Sequence, residues 1–136
     1  MEQTTLKEKY LYEKLDSVSK LGFLNQYKDI PKFIKENLNP KFQLRPYQNE
    51  AFSRFIYYYT DYPEKQNPSH LLFNMATGSG KTLIMAGLIL YLYEKGYRNF
   101  LFFVNSTNII EKTKDNFLNA LSNKYLFNKK ILFNNK

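Results

Sequence analysis

Polar and apolar positions along this 136-residue chain keep helical time at first and then change rhythm. Between about residues 5 and 38, Leu6, Tyr10, Leu11 and Leu15 recur at helical spacing. Pro31 opens a short second helix, which Asn39-Pro40 closes. Another helix starts in Leu44-Arg45-Pro46-Tyr47-Gln48, with Pro46 suited to its first turn. Along it Ala51, Phe52, Phe55, Ile56 and Tyr59 form one apolar stripe that predicts a core-facing side. Tyr57-Tyr58-Tyr59 has the composition of a base-stacking platform. Three consecutive helical residues point in different directions, however, so packing accounts for them better. From Thr60 to Ser69 the chain turns polar around Pro63 and Pro68 and reads as a surface loop.

Beyond that loop the pattern predicts strand, helix, strand. Leu71-Leu72-Phe73 is a short apolar run, and residues 83–92 are apolar on almost every side, which predicts a helix buried on most of its faces. Gly96 stands where a left-handed cap would end that helix, with Lys95 complementing its dipole. Phe100 to Val104 is an unbroken apolar run, the pattern of a strand covered on both faces. Such a βαβ unit is right-handed and carries a parallel sheet. A further helix is expected to about Leu121, with Asn108 and Glu111 spaced as a reciprocal N-cap. Ile131-Leu132-Phe133 reads as the start of a third strand. The expected fold is α/β: an incomplete parallel sheet with flanking helices, preceded by a helical segment over residues 1–41.

Between the first strand and its helix lies Met75-Ala76-Thr77-Gly78-Ser79-Gly80-Lys81-Thr82. A glycine-rich turn there lets successive backbone N–H groups face a phosphate, at the positive end of a helix dipole. Lys81 would reach the β- and γ-phosphates of a nucleotide, and the Thr82 hydroxyl would ligate Mg²⁺. Gly78, Gly80, Lys81 and Thr82 stand at the offsets of G-x-x-x-x-G-K-[ST], but Met75 replaces the first glycine. A glycine-rich turn without ligand is the plainer alternative. Four matching positions argue against it.

Composition narrows the remaining classes. No apolar run reaches the length of a membrane span, and the polar start MEQTTLKEKY lacks a signal core, so a cytoplasmic protein is expected. With no cysteine and one histidine, disulfides, thiolate metal sites and histidine clusters are excluded. The net charge of +8 is concentrated at the end, where residues 110–136 hold six lysines against Glu111 and Asp115. That excess suits a nucleic-acid surface or, equally, solvated helix faces. The same two readings apply to Asn105, Ser106 and Thr107, as donors to a phosphate backbone or as capping residues. Nucleotide hydrolysis needs a carboxylate at a strand end to hold Mg²⁺ and usually a second to orient water. After Lys81 the acids are Glu94, Glu111 and Asp115, none of which follows an apolar strand. Binding without turnover is therefore expected of this chain, as the front part of a larger protein.

Leu44-Arg45-Pro46-Tyr47-Gln48, Asn74 to Thr82, and Phe100 to Asn105 together resemble the opening motifs of a superfamily 2 helicase-type motor. The wording is most similar to the Res subunit of type III restriction-modification enzymes, over about residues 42–122. The resemblance implies a RecA-like P-loop domain over residues 42–136, truncated before its Asp-Glu magnesium motif. It implies ATP and Mg²⁺ as cofactors, with Gln48 reading the adenine edge beside Arg45 and Tyr47. Thr77, Gly78, Ser79, Gly80, Lys81 and Thr82 would hold the phosphates and metal, and Asn105, Ser106 and Thr107 would touch DNA. Double-stranded DNA and a methyltransferase (modification) subunit are the implied partners. In such motors the position of Met75 is commonly not glycine. A type I restriction motor or a DNA-repair helicase shares these motifs. A stand-alone nucleotide-binding module and a non-functional remnant are further alternatives.

Overall fold

Five α-helices follow one another in residues 10–132, the part of the chain that the structure, a computed structural model, describes. Helix α1 spans Leu11–Lys20, and the Tyr10 N–H ahead of it donates to the Glu13 carboxylate at 2.9 Å. Leu6, expected on the same helix, lies outside the described residues. A 3₁₀ turn at Asn25–Tyr27 leads to α2, Lys32–Asn37. Helix α3 spans Pro46–Thr60, with Pro46 in its first turn as the sequence predicts. Helix α4, Lys81–Glu94, ends at Gly96 with a φ of +105°. There the Tyr97 N–H returns to Leu92 O at 3.0 Å, satisfying a carbonyl the helix end leaves over. Helix α5, Thr107–Phe117, is shorter than the pattern suggested. Its cap position is Ser106, so Asn108 sits inside the helix and Glu111 bonds Lys114 at 2.9 Å, and the reciprocal cap expected there does not form.

The core lies where α2, α3 and α4 meet. Ile30, Phe33, Ile34 and Leu38 pack with Phe52 and Ile56 of α3 and with Leu83, Ile84, Ala86, Leu90 and Tyr91 of α4. Each Leu, Ile or Phe among them contributes about 1.5–3 kcal/mol by leaving water. The stripe read on α3 is the buried one, with Tyr58 buried as well and Tyr57 and Tyr59 half-buried at the rim. Gly87 sets how closely α3 and α4 approach. A Cβ there would stand 2.4 Å from Phe52 Cζ.

The predicted parallel sheet is not present. Among the described residues no segment forms a strand, and pairing is confined to one isolated antiparallel bridge between Leu38 and Phe127. Residues 71–75 do keep a strand's alternation: Leu71, Phe73 and Met75 turn inward while Leu72 is 91% exposed. Phe100–Val104 forms no strand either, and Leu101 is 84% and Phe103 87% exposed, not covered on both faces. A strand is defined by its partner's backbone groups. These two apolar runs do not pair with each other, so apolarity alone leaves them as coil. Ile131 and Leu132 are likewise coil, and Phe133 lies outside the described residues.

The C-terminal segment is instead clipped to α2 by amides. Asn37 is fully buried; its Nδ2 donates to Phe33 O at 2.8 Å and to Leu132 O at 3.1 Å, and its Oδ1 accepts the Leu132 N–H at 2.5 Å. Beside it the Asn128 N–H donates to Asn37 O at 2.7 Å, and Asn39 Nδ2 to Tyr125 O at 2.8 Å. Leu126, brought in by these bonds, joins the core.

Candidate functional site

The glycine-rich turn is shaped by two left-handed residues, Gly78 at φ +78° and Gly80 at φ +82°. Side-chain-bearing residues are disfavoured in that region, which explains glycine at both. Among the described residues positive φ is confined to glycines, these two together with Gly22 and Gly96. Met75 therefore adopts a conformation open to any residue, and its side chain packs against the core while its carbonyl serves the loop. That is the physical reason a methionine can stand where the general pattern has glycine.

Lys81 opens α4 directly after Gly80, so the unpaired N–H groups of the helix's first turn lie at the end of the loop. Its ammonium folds back into the loop, donating to Met75 O at 2.8 Å and Ala76 O at 3.1 Å. A phosphate entering the cradle would take over that ammonium from the two carbonyls. Thr82 is half-buried beside it, and Thr77 is exposed at the tip. The Ser79 hydroxyl is buried without a hydrogen-bond partner. Leaving a buried hydroxyl unsatisfied costs about 1–3 kcal/mol, which a ligand oxygen would relieve.

The N-terminal part of α3 is docked on this loop. Ser79 O accepts two bonds, from the Tyr47 hydroxyl at 2.9 Å and from Gln48 Nε2 at 3.0 Å. Gln48 Oε1 in turn accepts the Arg45 N–H at 2.9 Å, and Arg45 Nη1 donates to the Tyr47 hydroxyl at 2.9 Å. Gln48 is 4% exposed, whereas Tyr47 and Arg45 stand at the surface. Six of the residues singled out by sequence thus share one corner: Arg45, Tyr47, Gln48, Ser79, Gly80 and Lys81. An apolar hollow of about 220 Å³, lined by Phe73, Met75, Ile84 and Leu88, also touches Lys81.

Asn105, Ser106 and Thr107 are exposed at the entry to α5, and among the described residues no hydrogen bond ties them to the loop. Sequence reasoning did not single out Ser79 O as the junction of two segments 31 residues apart, nor Gly87 beneath Phe52. A backbone carbonyl carries no residue-type signal.

The donors present suit a phosphate group: two left-handed glycines, a lysine ammonium and an unpartnered hydroxyl. For a divalent cation the loop offers the Thr82 hydroxyl. Among the described residues no three of His, Asp and Glu gather as a metal-binding group. Asp115 Oδ1 accepts from Asn119 at 3.0 Å, and Glu94 lies at the opposite end of α4 from the loop.

Residues 41–136 match the family described as type III restriction enzyme, res subunit. The chain belongs to that family. This Res-family chain is also 49% identical, over 109 residues, to the probable type III restriction-modification enzyme HindVIP Res subunit of Haemophilus influenzae. The match covers 76% of the chain and 21% of that relative, so the Res-family chain spans about a fifth of the relative's length. No solved structure gives a significant match. Among the described residues no helix is long and apolar enough to cross a membrane.

Proposed function

We propose that residues 45–48 and 75–82 form the ATP site of the motor in a type III restriction enzyme. The observation that carries this reading is the double hydrogen bond onto Ser79 O. It joins the segment proposed to read the base to the loop proposed to hold the phosphates, although 31 residues separate Gln48 from Ser79. Gly78 and Gly80 shape the cradle, Lys81 neutralises the β- and γ-phosphates, and Thr82 ligates Mg²⁺. Gln48 is the residue proposed to read the adenine edge, with the one N–H and one oxygen lone pair that its bonds to Ser79 O and the Arg45 N–H leave over. Bound Mg²⁺ would screen the phosphate charge. The carboxylates that complete its coordination and orient water come from the remainder of the protein, so this chain binds ATP without turnover.

Residues 42–136 are the front part of the motor domain in this reading, with residues 1–41 as a helical segment before it. The printed name of the Haemophilus relative supports a restriction-modification setting. Double-stranded DNA and a modification subunit are the corresponding partners, with Asn105, Ser106 and Thr107 as DNA-backbone contacts.

The test is titration of the chain and of Lys81→Ala with a fluorescent ATP analogue. Binding by the wild type and loss of at least tenfold in affinity in the variant is the expected result, since charge-assisted bonds are worth about 1.5–3 kcal/mol. Equal binding by both would overturn the assignment of Lys81.

A further inference from the structure

We infer that Tyr47 is a positioning residue for phosphate binding, acting on the ligand through the Ser79–Gly80 peptide and not by touching the base. This inference rests on the phosphate-loop reading above. In a planar trans peptide the C=O and the following N–H point in opposite directions. Whatever holds Ser79 O therefore aims the Gly80 N–H to the other side, away from α3. Gln48 Nε2 occupies one lone pair of that oxygen at 3.0 Å and the Tyr47 hydroxyl the other at 2.9 Å. A carbonyl has two lone pairs, so with both filled the peptide has little freedom to rotate. Arg45 sets the direction of the second bond. Its Nη1 donates to the Tyr47 hydroxyl at 2.9 Å, which leaves that hydroxyl's own proton for Ser79 O.

Two features separate Tyr47 from its neighbour. Gln48 is buried, and its amide is bonded at both ends, to Arg45 N–H and Ser79 O, so it is also part of the packing. Tyr47 is 39% exposed, and its hydroxyl bonds only the Arg45 guanidinium and the loop. Tyr47→Phe removes the pin and keeps the ring. Gly80, the residue whose N–H is aimed, sits at φ +82°, where rotation of the preceding peptide is easy without a restraint.

The experiment compares wild type, Tyr47→Phe, Arg45→Met and Lys81→Ala for binding of inorganic pyrophosphate and, separately, of adenosine, with the ligand-free thermal midpoint of each. Pyrophosphate carries no base and adenosine no phosphate. Tyr47→Phe is expected to weaken pyrophosphate about three- to tenfold, the value of one hydrogen bond, with adenosine affinity unchanged and only a small fall in thermal midpoint. Arg45→Met is expected to shift pyrophosphate in the same direction by less. Loss of adenosine affinity with pyrophosphate unchanged would make Tyr47 a base contact and overturn the inference. A fall in thermal midpoint with both ligands weakened alike would make it merely structural and also overturn it. If wild type and Lys81→Ala bind pyrophosphate equally, the phosphate-loop reading fails, whatever Tyr47 does.

Discussion

The Gln48 amide lies directly against Gly80: a Cβ at position 80 would stand 2.3 Å from Gln48 Nε2. The first turn of α3 and the loop that precedes α4 are thus in van der Waals contact as well as hydrogen-bonded, and glycine is required at position 80 twice over.

Gly80→Ala and Gly78→Ala separate these two requirements. Both residues have φ near +80°, so each alanine carries a backbone cost of roughly 1–2 kcal/mol. At Gly78 a Cβ meets nothing within 4 Å. At Gly80 it displaces an amide that is bonded to Arg45 N–H and Ser79 O, adding about 1 kcal/mol for each bond lost. Urea denaturation should therefore rank Gly80→Ala as the more damaging change. Placing both alanines in a Gln48→Ala background should narrow the difference, and an undiminished difference would contradict the contact.

Gly87→Ala should destabilise the chain, against the helix propensities. Alanine is worth up to about 1 kcal/mol over glycine in a helix interior. Here the new methyl would stand 2.4 Å from Phe52 Cζ, on a ring that is fully buried and cannot swing aside. Overpacking costs about 1–3 kcal/mol and outweighs the propensity gain. A Phe52→Leu change that is costly alone should cost less when combined with Gly87→Ala, and denaturation of the double variant checks this.

Asn37→Ala should cost about 1–3 kcal/mol by releasing residues 123–132 from α2. Asn37→Asp should cost more at neutral pH. It places a buried carboxylate against the carbonyls of Phe33 and Leu132, where the amide Nδ2 now donates. Thermal unfolding ranks the two, and early proteolysis beyond Asn123 in both variants would locate the loss.

Tyr59 gives a prediction at alkaline pH. Its hydroxyl donates to Tyr97 Oη at 3.5 Å, and this bond, with burial second, pushes its pKa from 10.0 to about 12. The folded state holds the proton more tightly than the unfolded one, so the contribution is whole below pH 10 and is lost as pH rises through 12. Phenolate absorbance should show a tyrosine titrating near pH 12, and Tyr97→Phe should move that titration toward the ordinary value.

The glycine-rich turn was more legible than the fold. Gly78 and Gly80 announce themselves because a left-handed turn needs glycine's positive φ, and that requirement is local. The start of α3 at Pro46 and the end of α4 at Gly96 were legible for the same reason. The run Phe100–Val104 was misread. Its apolarity says that the segment seeks cover, not that a neighbouring strand supplies it.

Residue types and spacing determined which positions turn left-handed, where α3 and α4 begin and which stripe of α3 is buried, since each depends on a residue and its near neighbours. Tertiary structure decided the rest. It made Ser79 O the meeting point of Tyr47 and Gln48, placed Gly87 under Phe52, bound Leu132 to Asn37 across 95 positions, and left the two apolar runs unpaired. Such contacts depend on which distant segments meet. Backbone carbonyls and strand edges look alike in every sequence until a partner is beside them.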